Sequence, residues 1–117
     1  AEDGTLILLG RGNQVINTGG EKVFPEEVEE ALKTYATVAD AVAVGLPDEK
    51  FGEAITAVVS FRPGEVASAD ELIATVHDNL SRFKAPRHVV VVDNVPRGPN
   101  GKADYAWAKR VAVERIS

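Results

Sequence analysis

The stretch Gly10-Arg11-Gly12-Asn13-Gln14-Val15-Ile16-Asn17-Thr18-Gly19-Gly20-Glu21-Lys22-Val23-Phe24-Pro25-Glu26-Glu27-Val28-Glu29 decides the fold. It reads as strand, glycine turn, strand, then a helix opened by proline. Residues 14–18 are a short β candidate, and Gly19-Gly20 is a strong turn signal because glycine reaches φ > 0 without a Cβ clash. Pro25 fits the first turn of a helix, where its missing N–H leaves no bond unmade. Val28, Ala31, Leu32 and Tyr35 follow at i, i+3, i+4 and i+7 spacing, a single apolar stripe. Glu26, Glu27, Glu29 and Glu30 read as the solvated opposite face, placed where the helix dipole favours anions.

Working outward, residues 5–9 are a further β candidate on the N-terminal side, with Gly10 and Gly12 loosening the chain between. On the C-terminal side, residues 40–46 and 54–61 read as strands separated by a loop over 47–53. In the second, Ile55, Ala57, Val59 and Phe61 alternate with Ala54, Thr56, Val58 and Ser60. Ser68 to Glu71 matches a capping box, with Ala69, Leu72, Ile73, Val76 and Leu80 as the apolar stripe behind it. Residues 88–92 read as a strand buried on both faces. Asp104 is the N-cap of a last helix carrying Trp107, Ala108, Val111 and Ala112, with Tyr105 and Trp107 read as packing residues. The predicted fold is α+β: a small sheet with about three helices, preceded by a β-hairpin.

The 117 residues, 44% of them hydrophobic, suffice for one domain with a modest core. A net charge of −5 argues against nucleic-acid binding, which needs a basic face to replace phosphate counterions. Against that acidic background, Arg82-Phe83-Lys84-Ala85-Pro86-Arg87-His88 is a local basic patch, suited to a phosphorylated small molecule. With no cysteine, there is neither a disulfide framework nor thiolate chemistry, which is compatible with a reducing cytosol. His77 and His88 have no partner at ligand spacing, so no metal site is expected. No apolar run is long enough to span a bilayer, and Ala1-Glu2-Asp3-Gly4 lacks a signal-peptide pattern. The expectation is a soluble cytoplasmic domain cut from a longer chain.

Near the far end, Pro96-Arg97-Gly98-Pro99-Asn100-Gly101-Lys102 reads as a flexible loop presenting one lysine. A fixed ammonium on such a loop can reach a phosphate and a carboxylate together, and so stabilise charge that develops as a phosphoryl leaving group departs.

The two motifs, in this order and spacing, resemble the C-terminal domain of the adenylate-forming superfamily, in particular acyl-CoA synthetases of the fatty-acyl-CoA synthetase type. The resemblance covers essentially the whole chain. It implies residues 1–13 as the end of an interdomain strand and hinge, and residues 14–117 as a C-terminal lid whose N-terminal adenylation core is absent from this chain. It implies an AMP-forming ligase that converts a carboxylate, a fatty acid or related acid, and ATP into acyl-AMP, then passes the acyl group to CoA. Lys102 would act in adenylation, and Gly19 and Gly20, with Glu21 beside them, would line the pantetheine channel of CoA. Arg11 would lie at the domain junction near the nucleotide. Asn13 takes the hinge position, where the family more often has Asp or Lys. Phe83, Lys84 and Arg87 would meet the nucleotide end of CoA. ATP and CoA are implied as substrates, with Mg2+ accompanying ATP in the N-terminal domain and nothing bound by this fragment alone, which should not turn over. Two alternatives share the fold: the lid of an adenylation domain that loads a carrier protein, and a non-catalytic binding module.

Overall fold

The computed structural model describes residues 15–50, 52–80, 84–99, 101 and 103–116. The expected strand at 5–9, together with Arg11, Asn13, Phe83 and Lys102, lies outside these. The described elements run β1 (Ile16–Thr18), β2 (Glu21–Val23), α1 (Pro25–Lys33), β3 (Val38–Asp48), β4 (Gly52–Phe61), α2 (Ala69–Asn79), β5 (His88–Val91) and α3 (Tyr105–Ile116). This is the expected α+β architecture, three helices on one small sheet.

The β3–β4 hairpin is the spine. Its antiparallel ladder runs from Val38↔Phe61 to Asp48↔Gly52, with one irregularity between Val38 and Asp40. The loop expected over 47–53 is therefore mostly ladder, since Pro47 pairs Glu53 and Asp48 pairs Gly52. Proline is tolerated there because β3 stands at the end of the strand order β2-β1-β4-β3, where a missing N–H costs no bond. Gly52, at φ +86°, supplies the left-handed residue that makes so tight a reversal feasible.

Period-two alternation along the spine sends side chains to two cores. Ala41, Ala43, Ile55, Ala57 and Val59 face α1 and α2, where Val28, Leu32, Leu72 and Val76 are fully buried. Val42, Val44, Leu46 and Val58 face α3, packed with Ala108, Ala112, Val90 and Val95. The small alanines on the first face let α1 approach the sheet closely. Helix α2 starts as the sequence predicts: the Glu71 N–H donates to Ser68 Oγ at 3.1 Å and the Ser68 N–H to Glu71 Oε1 at 2.9 Å. Asp104 caps α3 by accepting from the Trp107 N–H at 3.0 Å.

One strand departs from expectation. β5 pairs β4 in parallel, from Thr56↔His88 to Val59↔Val91, but it is not buried on both faces. Of its four residues Val90 is the buried one, and Val91 is exposed. A run of four valines satisfies an edge position as readily as a central one, because hydrophobicity alone does not record how many neighbours a strand has.

Candidate functional site

The glycine turn is a two-residue hairpin. Thr18 pairs Glu21, Asn17 pairs Lys22 and Ile16 pairs Val23, with Gly19 at φ +59° and Gly20 at φ +85° between the strands. Two consecutive left-handed residues give the turn whose twist matches its flanking strands. Gly19, Gly20, Glu21 and Lys22 are all exposed. A Cβ built on Gly20 would meet nothing within 4 Å, so the tip projects into open space. The base of the hairpin is held: Ile16, Thr18 and Val23 are buried, Thr18 pairs Gly52 of β4, and the Asn17 N–H donates to Glu53 Oε1 at 2.8 Å.

The lysine segment is braced at its base. Arg97 and Ala103 form an isolated antiparallel bridge, and the Gly101 N–H closes a turn on the Gly98 carbonyl at 2.9 Å. Gly101 itself sits at φ +81°. Arg97 then grips Asp40 at the start of β3 with two prongs, Nε to Oδ2 at 2.9 Å and Nη2 to Oδ1. Its Nη1 also donates to the Gly101 carbonyl at 3.4 Å. Burial opposes ionisation of Asp40, but the Arg97 guanidinium and the Ala41 N–H hold its carboxyl below the usual range. Both residues adjoining Lys102 are thus tied, through Arg97, to β3.

Close to this brace lies a polar contact that the sequence reading misplaced. Glu29 is not on a solvated face; it is only 5% exposed. Its Oε2 accepts from the Ala43 N–H at 3.0 Å and from the Tyr105 hydroxyl at 2.8 Å. Helix α1 lies on one face of the sheet and α3 on the other, so these two side chains meet around the outer edge of β3. Burial raises the Glu29 pKa despite both hydrogen bonds. Burial, then the neighbouring Glu29 charge, pushes the Tyr105 hydroxyl up. The 3.6-residue period does set Glu29 apart from the stripe of Val28, Ala31 and Leu32. What it cannot show is that a second helix comes over the sheet edge to meet the carboxylate.

The basic patch is split. Lys84 Nζ donates to Glu27 Oε1 at 2.8 Å, and Glu27 also accepts from the Phe24 N–H at 3.1 Å. Burial works against the Glu27 charge, but Lys84 and that N–H keep its carboxyl below the ordinary value. Arg87 is anchored through its backbone N–H, which donates to the Ile55 carbonyl at 2.8 Å, and its side chain is exposed. It borders a cleft of about 460 Å³ against α2, lined also by Ile73, His77 and Pro86.

Comparison with known proteins decides the family. The family model described as "AMP-binding enzyme C-terminal domain" matches residues 27–102. The chain belongs to the AMP-binding enzyme C-terminal domain family. It is 54% identical over 107 residues to a 3-oxocholest-4-en-26-oate–CoA ligase of Rhodococcus rhodochrous, a match covering 92% of this chain and 19% of that protein. It is 52% identical over 114 residues to a medium/long-chain-fatty-acid–CoA/3-oxocholest-4-en-26-oate–CoA ligase of Mycobacterium tuberculosis, covering 97% of this chain and 21% of that one. Among solved structures, an acyl-CoA synthetase of Brucella canis superposes with a TM-score of 0.81 at 32% identity, covering 93% of this chain and 21% of the other. The chain spans about a fifth of the length of the curated relatives it matches.

Within this AMP-binding C-terminal domain, the two sequence motifs are brought to opposite ends of one rigid element. The glycine hairpin joins the spine at Thr18↔Gly52, beside Asp48. The lysine segment joins it at Asp40. From Asp40 to Asp48 the strand runs about 26 Å, at roughly 3.3 Å per residue. Sequence reasoning passed over Asp40, Glu53 and Gly45, which hold these motifs in place. By pattern Asp40 and Gly45 are ordinary strand residues and Glu53 a loop residue, and only their contacts across the fold distinguish them. Among the described residues, no group of three or more His, Cys, Asp or Glu side chains is placed to hold a metal ion, and no helix is long and apolar enough to cross a membrane.

Proposed function

We propose that this chain is the C-terminal lid of an ATP-dependent, AMP-forming acyl-CoA synthetase, pivoting at Asn13 against an N-terminal adenylation domain. The observation that carries the reading is the separation of the two motifs at the two ends of β3–β4, within a family whose relatives here are named as CoA ligases. A domain that presents a different end to the same acyl carbon in each step needs this layout. It also needs each motif to be held firmly by the rigid body that turns.

In the first step a carboxylate oxygen of the acid attacks the α-phosphorus of ATP, and pyrophosphate leaves with the electron pair of the broken P–O bond. Lys102 supplies a cation to the charge gathering on the phosphoryl oxygens, with Arg97 and Asp40 fixing the strand pair on either side of it. Arg11 lies near the nucleotide at the domain junction. Mg2+ accompanying ATP would neutralise phosphate charge within the N-terminal domain, and no residue of this chain is assigned to hold it. In the second step the thiol sulfur of CoA attacks the acyl carbon, a thioester forms and AMP departs. The bare backbone of Gly19 and Gly20, with Glu21 alongside, lines the passage for the narrow pantetheine arm. Exposed Arg87, with Lys84 and Phe83, meets the nucleotide end of CoA, where cations suit phosphate and an aromatic ring suits adenine. The acid is a fatty acid or a related carboxylate, and the enzyme is cytoplasmic, where ATP and CoA are available.

The test separates the half-reactions in a full-length ligase carrying this chain. Lys102→Ala should depress pyrophosphate exchange by about a hundredfold or more, since a missing cation in a closed site is worth roughly 3 kcal/mol. CoA transfer from supplied acyl-AMP should be largely spared. Gly20→Leu should do the reverse, with acyl-AMP accumulating. Equal losses in both steps for either variant would refute the assignment.

A further inference from the structure

Buried Ile16, Thr18 and Val23 seat the glycine hairpin, and one side chain outside the turn completes that seat. In a two-residue hairpin Thr18 and Glu21 form the hydrogen-bonded pair, so the N–H of Asn17, one residue back, points away from β2. A neighbouring strand would normally take it. Among the described residues β1 pairs β4 at Thr18↔Gly52, and the Asn17 N–H donates instead to the side chain of Glu53, Oε1 at 2.8 Å. The second support is Ile16, 2% exposed, which lies over Gly45 of β3. A Cβ at Gly45 would fall 2.9 Å from Ile16 Cγ2 and 3.1 Å from both Cδ and Oε2 of Glu53. The absence of a side chain at Gly45 therefore admits both supports at once. Gly45 is not among the glycines with positive φ, so this is a matter of space and not of backbone conformation.

We infer that Glu53 is a positioning residue for thioester formation: its carboxylate, admitted by Gly45, accepts the Asn17 N–H in the manner of a strand partner and sets the angle at which the Gly19-Gly20 tip leaves the domain. This rests on the reading of the hairpin as the wall of the pantetheine passage. Asn17 is two residues from Gly19, and a Cβ built on Gly20 would meet nothing within 4 Å among the described residues, so the tip depends on its base for orientation. A small rotation of the hairpin about the Thr18↔Gly52 pair would be carried to the exposed tip. Misplacement by about an ångström can cost a reaction about a hundredfold.

In a full-length ligase carrying this chain, Glu53→Ala should slow CoA transfer from synthetic acyl-AMP at least tenfold at saturating CoA, with pyrophosphate exchange within twofold of wild type. Glu53→Gln keeps an acceptor for the Asn17 N–H and should restore transfer to within about threefold. Gly45→Ala, which leaves Glu53 in place but crowds its carboxylate and Ile16, should reproduce the selective loss. Gly20→Leu serves as the internal standard. If Gly20→Leu blocks transfer while Glu53→Ala does not, or if Glu53→Ala lowers both half-reactions by the same factor, the positioning role is wrong and the hairpin reading stands. If Gly20→Leu itself leaves transfer intact, the hairpin reading falls and takes this inference with it.

Discussion

A carboxylate that folding removes from water carries a cost that depends on pH. The folded-state pKa of Glu29 is raised above its ordinary value of 4.5, chiefly by burial, with Glu26 adding repulsion and Arg97 opposing it. Between the unfolded and folded values the native state binds more protons than the unfolded one, so stability falls as pH rises. The favourable contribution is complete below about pH 4.5 and is lost as pH climbs through the raised value. Glu29→Gln keeps an acceptor oxygen for Ala43 and Tyr105 but cannot ionise. Its unfolding free energy should gain on wild type as pH rises from 4 to 7, measured by denaturant titration at each pH. A difference that stays constant with pH would show that the carboxylate is not desolvated as described. Glu29→Leu should be worse than either at all pH values, by about 2 kcal/mol, because it leaves the Ala43 N–H and Tyr105 hydroxyl without their acceptor.

At the level of elements, β4 contains a polar group at odds with its surroundings. Thr56 is fully buried, and its Oγ1 has no hydrogen-bond partner among the described residues. Valine has nearly the same shape and no hydroxyl to desolvate. Thr56→Val should therefore raise the unfolding free energy by about 1 kcal/mol, seen as a higher melting temperature, with the β3–β4 register unchanged. A lower melting temperature would mean that the hydroxyl does find a partner. The same strand shows what sequence can and cannot disclose. Its alternation correctly divided Ile55, Ala57 and Val59 from Val58 and assigned two faces, because side-chain direction in a strand is a local property. The caps at Ser68 and Asp104 and the turn at Gly19-Gly20 were legible for the same reason, each being settled within a few residues. Glu29, the edge position of β5 and the supports at Asp40 and Glu53 were not. They depend on contacts that join Glu29 to Tyr105, Asp40 to Arg97 and Asn17 to Glu53, far apart in the chain, and no local pattern encodes them.

For the whole molecule, the layout of the two motifs makes the hinge decisive. If the domain turns at Asn13 to exchange its ends, the backbone there must adopt two φ/ψ states in the two half-reactions. Proline fixes φ near −65° and removes the N–H. Asn13→Pro in the full-length ligase should leave one half-reaction working and abolish the other, as read by pyrophosphate exchange and by CoA transfer from acyl-AMP. Two near-normal rates would place the pivot elsewhere, at Gly10 or Gly12. A domain that swings must also spend part of each cycle with surfaces bared that a static protein would keep covered, and β3 is the surface most at risk. It is an eleven-residue strand at the end of the sheet's strand order, and seven of its residues are valine, alanine or leucine. An open border of that length is a template on which a second chain could add a strand, the first step toward aggregation. The Glu29 carboxylate occupies the Ala43 N–H from one side, Tyr105 closes over it from the other, and the Arg97–Asp40 pair guards the strand's beginning. The clamp around that border thus has a second consequence: it occupies backbone of the longest described strand that a neighbouring chain would otherwise find open to pairing.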